Sequence, residues 1–487
     1  MKRSKIYIIG SLLTMLLFSA CQKELLEPNP ESLLNTENFY QVSKDIDKAV
    51  LGIYSRLQSR KPTDYLLLEI PTDNLYASTN TSVSGANALD VLAVTPDNDL
   101  IADFWVANYS IIFRTNAVLN NIDKPTDYKG IEKNQYTGEA KFMRALTYFE
   151  LVRLFGGVPN VTTLLSAEDA KRVPRASEAD IYKLIIDDLK DAIQKLPVTM
   201  AAGRASKGAA IALLGKVYVY QKKWIEAEEQ LSQLFKAPFS YILVNNFADF
   251  WKMTNENSKE SVFAITYLAG SNAHNLSTAF IPNGGVAGVV SRGAEVALPS
   301  WSINKLYISG DTRKASTITD MLISKIGDTP LWYPYVSKYA VVHDYGSSGL
   351  DLPVIRFADV VLLYAETLYG LNRPGDALIE LNKVRERAFA GTSKNYILSD
   401  IASPADFSDK LFLERRLEFA YESERWYDLV RSGKYLNFTS EERAYNPNTG
   451  TALIVPVATR AALKYLPIPQ KEIDKARDVL DQNDGYN

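Results

Sequence analysis

The densest group of ionisable residues lies between Glu414 and Arg431, where Glu414, Glu418, Glu422 and Asp428 alternate with Arg415, Arg425 and Arg431. Two carboxylates flanking one cleft are what glycoside hydrolysis requires. The spacing argues for another use. Arg415–Glu418, Glu422–Arg425, Arg425–Asp428 and Asp428–Arg431 are each three residues apart, and such pairs are neighbours on one helical face. The charges are therefore expected to pair within that helix and with an adjoining one. A surface glycoside hydrolase is the lesser alternative, and no enzymatic activity is expected.

Other catalytic chemistries lack their parts. A nucleophilic triad needs a histidine beside a serine or cysteine. Only His274 and His343 are present, both in loop-like segments. No group of residues has zinc spacing, and neither Gly156-Gly157 nor Gly284-Gly285 forms a phosphate loop. Asp97-Asn98-Asp99 could bind calcium but lacks the rest of an EF-hand loop, so a solvated turn is expected there. Neither cofactor nor metal is expected.

Sugar binding needs different residues. Aromatic faces cover the apolar side of a pyranose, while amides, carboxylates and guanidinium groups meet its hydroxyls in a concave site. The chain holds 28 tyrosines and 6 tryptophans. The candidate ligand contacts are Asp73, Asn74 and Tyr76 in a first loop-rich region, with Asn272, His274, Asn283, Arg292, Trp332, Tyr333 and Tyr335 in a second. Trp105 and Tyr109 open a helical stretch and are assigned to the core.

The single cysteine has another role. Lys2, Arg3 and Lys5 precede an apolar run from Ile6 to Phe18, then Ser19, Ala20 and Cys21. This is the layout of a secretory signal, and the run is too short to span a bilayer. Leu17-Phe18-Ser19-Ala20-Cys21 resembles the bacterial lipobox, with Phe18 in place of the usual aliphatic residue. Cleavage would leave Cys21 first, carrying a palmitate-bearing lipid. Loss of three basic residues takes Lys plus Arg from 54 to 51 against 57 acids. That acidic balance argues against nucleic acid as a partner.

Helices must position the loops. Phe142, Ala145, Leu146, Phe149 and Val152 make one apolar face, closed by Gly156-Gly157-Val158-Pro159. A helix from Ser206 to about Gln221 is followed by one opening at Trp224. Within this pair Leu214, Gly215, Tyr218, Ala227 and Leu231 have tetratricopeptide spacing. Phe357 to Ala388 repeats the pattern with Ala365, Leu368, Ala377, Leu381 and Val384, turning at Pro374-Gly375. A weaker pair joins 139–155 to 181–196, and a helix from about Ser408 to Arg431 is expected to contribute to a fourth. Residues 62–100 and 237–355, rich in Gly, Asn, Ser and Pro, read as loops and short strands.

Five blocks together resemble the SusD/RagB family of Bacteroidetes outer-membrane nutrient-binding lipoproteins. They are Gly138–Ala145 with Tyr148-Phe149 and Leu154–Pro159; Ser206–Ala210 with Leu213–Tyr218; Ile355–Val360 with Leu363–Glu366 and Leu381–Arg385; Glu414–Glu418 with Arg425–Arg431; and Leu466–Pro469 with Glu472-Ile473, Gln482-Asn483 and Gly485-Tyr486. The resemblance implies a mainly α fold, with a tetratricopeptide-like helix-pair scaffold and a loop-rich, variable ligand-binding half. It implies a signal peptide over 1–20, a lipidated tether over 21–35 and one SusD-like domain over 36–487. Scaffold would occupy about 36–61, 101–236 and 356–440, binding loops about 62–100 and 237–355, and a tail 441–487. The implied role is capture of an oligosaccharide, or in some branches a peptide, for a SusC-like TonB-dependent outer-membrane channel. Lys23-Glu24 is similar to the short charged signal that sends such lipoproteins to the cell surface.

Overall fold

The computed structural model describes residues 39–326, 329–437, 440–457 and 460–486. The proposed signal, lipidated cysteine and tether lie outside them.

The helices of the stack run in chain order: α1 (Ser43–Arg60), α2 (Asp99–Asn121), α3 (Glu132–Phe155), α4 (Glu178–Lys195), α5 (Lys207–Tyr220), α6 (Trp224–Leu231), α7 (Phe357–Gly370) and α8 (Pro374–Ala388). Each packs on the next, from α1 through α8. This is the quasi-linear stacking expected of helical repeats. Local chemistry sets the ends. The Ser206 hydroxyl accepts from the Ala209 N–H and starts α5, while Pro374 sits in the first turn of α8, where its missing N–H costs nothing. α3 ends at Phe155 because Gly156 follows with φ +71°.

Small residues let the pairs close. A Cβ added at Gly215 would lie 2.4 Å from Leu231 Cδ2, so α5 and α6 meet across that position. A Cβ at Gly370 would lie 2.5 Å from Trp224 Cδ2, which brings α6 against α7. α5 is buried around nearly its whole circumference and apolar to match. Trp105 lies in the core as expected. Asn98 caps α2 by accepting from the Leu100 N–H, so the Asp97–Asp99 turn is a helix start.

The expected long helix from Ser408 to Arg431 is corrected to two, α9 (Pro404–Glu418) and α10 (Arg425–Arg431). Tyr421 and Ser423 adopt φ +68° and +67° between them, a left-handed conformation that a helix cannot continue through.

Among the described residues the strands form four two-stranded antiparallel sheets. β1 (Leu75–Ala77) pairs with β3 (Ala297–Pro299), joining the two loop-rich regions. β2 (Ser261–Ile265) pairs with β6 (Leu352–Arg356), so the middle segment leaves and rejoins the scaffold at one place. β4 (Ile318–Ile326) and β5 (Thr329–Val336) form a hairpin, as do β7 (Ser440–Asn446) and β8 (Thr451–Pro456). One core runs from Ile46 to Ile468, with a satellite of Ile281, Val290 and Tyr335 under the loops.

Candidate functional site

The carboxylate cluster of α9 and α10 is a buried ionic network. Five cations (Arg313, Lys338, Arg356, Arg385, Arg387) and five carboxylates (Glu260, Asp311, Glu414, Glu418, Glu422) form one connected group. Glu418 accepts from Arg356 at 2.9 Å, Arg387 at 2.6 Å and Arg313 at 3.4 Å. Burial would raise its carboxyl, but these cations outweigh burial and hold it well below the usual range. Of the four expected three-apart pairs, only Asp428–Arg431 forms an ion pair, at 2.8 Å. Arg415 instead reaches Asp359 and Asp428, and Arg425 reaches Asp73. The interruption between α9 and α10 at 419–424 redirects these side chains to tertiary partners. The side chains of all five carboxylates are buried, at most 5% exposed.

Four of the expected ligand contacts are buried and engaged by the protein itself. Asp73 is buried and accepts from Arg425 through both oxygens at 2.7 Å. Asn74 is buried between Glu69 and Arg416. His274 is buried, with its ring on the Leu350 carbonyl and the Leu276 N–H; desolvation lowers its pKa to about 4. Tyr335 belongs to the satellite core. Asp73, Asn74 and His274 are polar groups whose hydrogen-bond partners replace solvent, and Tyr335 is packed from its place on β5.

The remaining candidates separate into groups. Tyr333 and Trp332 are consecutive on β5 and so face opposite sides of the hairpin. On one side, Tyr333 bonds Glu295, whose carboxylate also accepts from Asn80 Nδ2 at 2.7 Å, the Asn283 N–H at 3.0 Å and Ser78 at 3.1 Å. Burial opposes ionisation of Glu295, but those hydrogen bonds hold it charged, below its ordinary value. Tyr76 lies near enough to Tyr333 for their hydroxyls to interact electrostatically. Glu295 adopts φ +46°, an uncommon backbone for a side-chain-bearing residue, maintained by this set of bonds. On the other side, Trp332 meets Trp301 edge-on at 5.1 Å, and Trp301 stacks on Tyr445 at 4.2 Å with 13° between planes. The Trp332 indole N–H donates to Asp320 at 2.7 Å, and Lys314 pairs with the same carboxylate at 2.9 Å. All three rings are part-exposed. Arg292 lies over the exposed Tyr345 ring at 4.0 Å, and Asn272 is exposed on another loop; no contact among the described residues joins either to the tryptophans.

Asn80, Glu295, Trp301, Asp320 and Tyr445 went unnoticed in the sequence. Only the Leu298-Pro299-Ser300-Trp301 step, a strand ending at a capped helix start, offered a local signal. Among the described residues no group of three or more His, Cys, Asp or Glu could hold a metal, and no helix is long and apolar enough to cross a membrane.

Residues 24–219 match a family model described as "Starch-binding associating with outer membrane", and residues 321–486 match one described as "SusD family". The chain belongs to the SusD/RagB family. It is similar to SusD-like protein P25 of Formosa agariphila, 27% identical over 97% of each chain. A SusD-like protein structure from Bacteroides fragilis superposes with TM-score 0.79 at 22% identity, covering 94% of this chain and 100% of that one. Surface glycan-binding protein A from Bacteroides thetaiotaomicron, solved in complex with laminarihexaose, gives 0.75 at 22%, covering 90% and 99%. The SusD fold therefore accounts for both the helix stack and the loop half.

Proposed function

We propose that this SusD-family chain is a lipid-anchored outer-membrane protein that captures an oligosaccharide and passes it to a SusC-like TonB-dependent channel. The observation that carries the binding step is the Trp301–Trp332–Tyr445 group. Its part-exposed rings are pre-organised by mutual contact and by the Asp320 hydrogen bond, so little conformational freedom is lost when a sugar face settles on them. Asp320 and Lys314 supply polar groups at the edge of the group. The relatives' descriptions as starch- or glycan-binding support the ligand class, and the outer-membrane wording of the matched family supports the location. Cys21 carries the anchor, residues 36–487 act as one unit, and delivery to a channel follows from the family resemblance.

Calorimetric titration of the mature chain with a panel of neutral oligosaccharides tests the reading. Trp301→Ala and Trp332→Ala are expected to weaken a bound glycan at least tenfold while leaving the thermal midpoint within a few degrees. Unchanged affinity in both variants would remove the aromatic group from the site. For the anchor, Cys21→Ala is expected to release the protein from the membrane fraction; a variant that stays membrane-bound refutes it.

A further inference from the structure

A cleft of about 400 Å³ lies apart from the aromatic group, between the turn at 198–206, the segment 238–241 and strand β2. Its size falls in the range of small-ligand sites. Its walls are built rather than accidental. Gly203, at φ +78°, lays the turn on Thr266, and a Cβ there would come within 2.8 Å of Thr266 Oγ1. Phe239 and Tyr241 stack at 6.1 Å with 11° between planes, forming an aromatic wall. Gly208 leaves the space this needs, because a Cβ there would lie 2.3 Å from the Tyr241 hydroxyl.

The polar side of the cleft is unusual. Asp351 Oδ1 accepts from the Tyr267 N–H at 2.9 Å, and the Asp351 N–H donates to Glu256 at 2.9 Å. No Lys or Arg pairs with Asp351 among the described residues. Burial, reinforced by Glu256 and eased by the Tyr267 N–H, pushes the Asp351 carboxyl up to about 7. The Ser258 hydroxyl lines the same cleft, buried and without a partner. Arg204 also lines it, but its guanidinium is committed to Glu139 and Asp47. The cleft thus offers an aromatic face, an acceptor-rich carboxylate and an unused hydroxyl, with no free cation.

Tyr241 is backed in turn by Phe357, stacked at 6.0 Å with 26° between planes, which leaves Phe239 as the outer ring. We infer that this cleft is a second saccharide-binding site, which takes the end of a neutral oligosaccharide with Phe239, held by Tyr241, against the sugar face and Asp351 accepting a pair of its hydroxyls. Uronate and sulfated sugars are disfavoured, since their anions would meet Asp351 while the guanidinium in the lining, Arg204, is already paired with Glu139 and Asp47. The inference rests on the reading that the protein binds glycans, but uses none of the residues that carry it.

The test is calorimetry on the mature chain with an array of short neutral gluco-, manno-, galacto- and xylo-oligosaccharides. The wild type, Trp301→Ala/Trp332→Ala, and that pair combined with Asp351→Asn or Tyr241→Leu are compared. The wild type is expected to take up two ligands per chain. In titrations run above pH 8, where Asp351 is ionised, the double tryptophan variant should keep one ligand, and Asp351→Asn should weaken that one by about tenfold, the loss of a charge-assisted hydrogen bond. Asn preserves the acceptor for Tyr267, so the fold should persist, and an unchanged thermal midpoint confirms it. If the wild type binds one ligand and the double tryptophan variant none, the second site is overturned while the proposed function stands. Residual binding unaffected by Asp351→Asn and Tyr241→Leu, or displaced only by lysine-rich peptides, also overturns it. If no oligosaccharide binds the wild type, the proposed function fails and takes this inference with it.

Discussion

Replacing Glu418 by glutamine tests whether the carboxylates of α9 hold the fold together or serve a site. Glu418 is fully buried and accepts from three arginines. The connected network balances five cations against five carboxylates, so Glu418→Gln leaves one positive charge in excess away from water. Removing one partner of a buried ion pair costs about 3–5 kcal/mol. Glutamine keeps an acceptor oxygen, which puts the expectation near the lower end, about 3 kcal/mol, still a large share of the roughly 5–15 kcal/mol that stabilises a folded domain. Adding Arg387→Met restores the balance at four against four, because Arg387 bonds only Glu260 and Glu418 in the network. The double variant should then be more stable than the sum of the single effects by about 1–3 kcal/mol. Urea denaturation with an unchanged slope would measure both numbers, and ligand titration of the folded fraction should show unaltered affinity. A Glu418→Gln loss under about 1 kcal/mol, or a strictly additive cycle, would refute the charge-balance argument. Loss of ligand binding without loss of stability would return Glu418 to the site.

Asp73→Asn should cost about 3–5 kcal/mol in chemical denaturation and leave glycan affinity intact, because it strands Arg416 and Arg425 without their buried carboxylate. Gly215→Ala should destabilise by about 1–3 kcal/mol, since Leu231 must move away from the added carbon; a neutral result would mean that α5 and α6 do not close there. Thermal melts across pH should show a maximum in the mildly acidic range. Burial raises Glu69 and Asp351 to about 7 and Asp90 to about 6, and His274, lowered to about 4, offsets only one of these three, so between roughly pH 4.5 and 7 the native state binds more protons than the unfolded chain and stability falls as pH rises through that window. Asp359 and Glu418 lie below their ordinary values, because neighbouring cations outweigh burial; the unfolded chain therefore takes up more protons below about pH 4, and stability falls again. A flat profile from pH 4.5 to 7 would contradict those assignments.

The scaffold was far more legible in the sequence than the loops. Ser206, Pro374 and Gly156 act locally, through caps and turns that involve residues a few positions away, and the Gly215–Leu231 spacing reports on one helix pair. The ionic network was less so: residue types and helical spacing were visible, but the left-handed turn at Tyr421 and Ser423 sends Arg425 to Asp73, 352 residues distant in sequence. The aromatic group has the same difficulty. Trp301, Trp332 and Tyr445 come from three separate elements and share no period, so nothing short of the fold brings them together. Loop composition marked Asp73, Asn74 and His274 as available to ligands, whereas long-range hydrogen bonds consume them.

The middle segment departs and returns at the β2–β6 pair, and the ends of that pair are clasped. Glu260, just before β2, meets Arg356, the last residue of β6, at 2.6 Å, and the Phe357 N–H donates to the Glu260 carbonyl at 2.8 Å. The join therefore behaves as a socket. The segment between Ile265 and Leu352 also carries Asp311, Arg313 and Lys338 into the ionic network of α9, so a transplanted insert would fit the mount only if it brought those three charges with it.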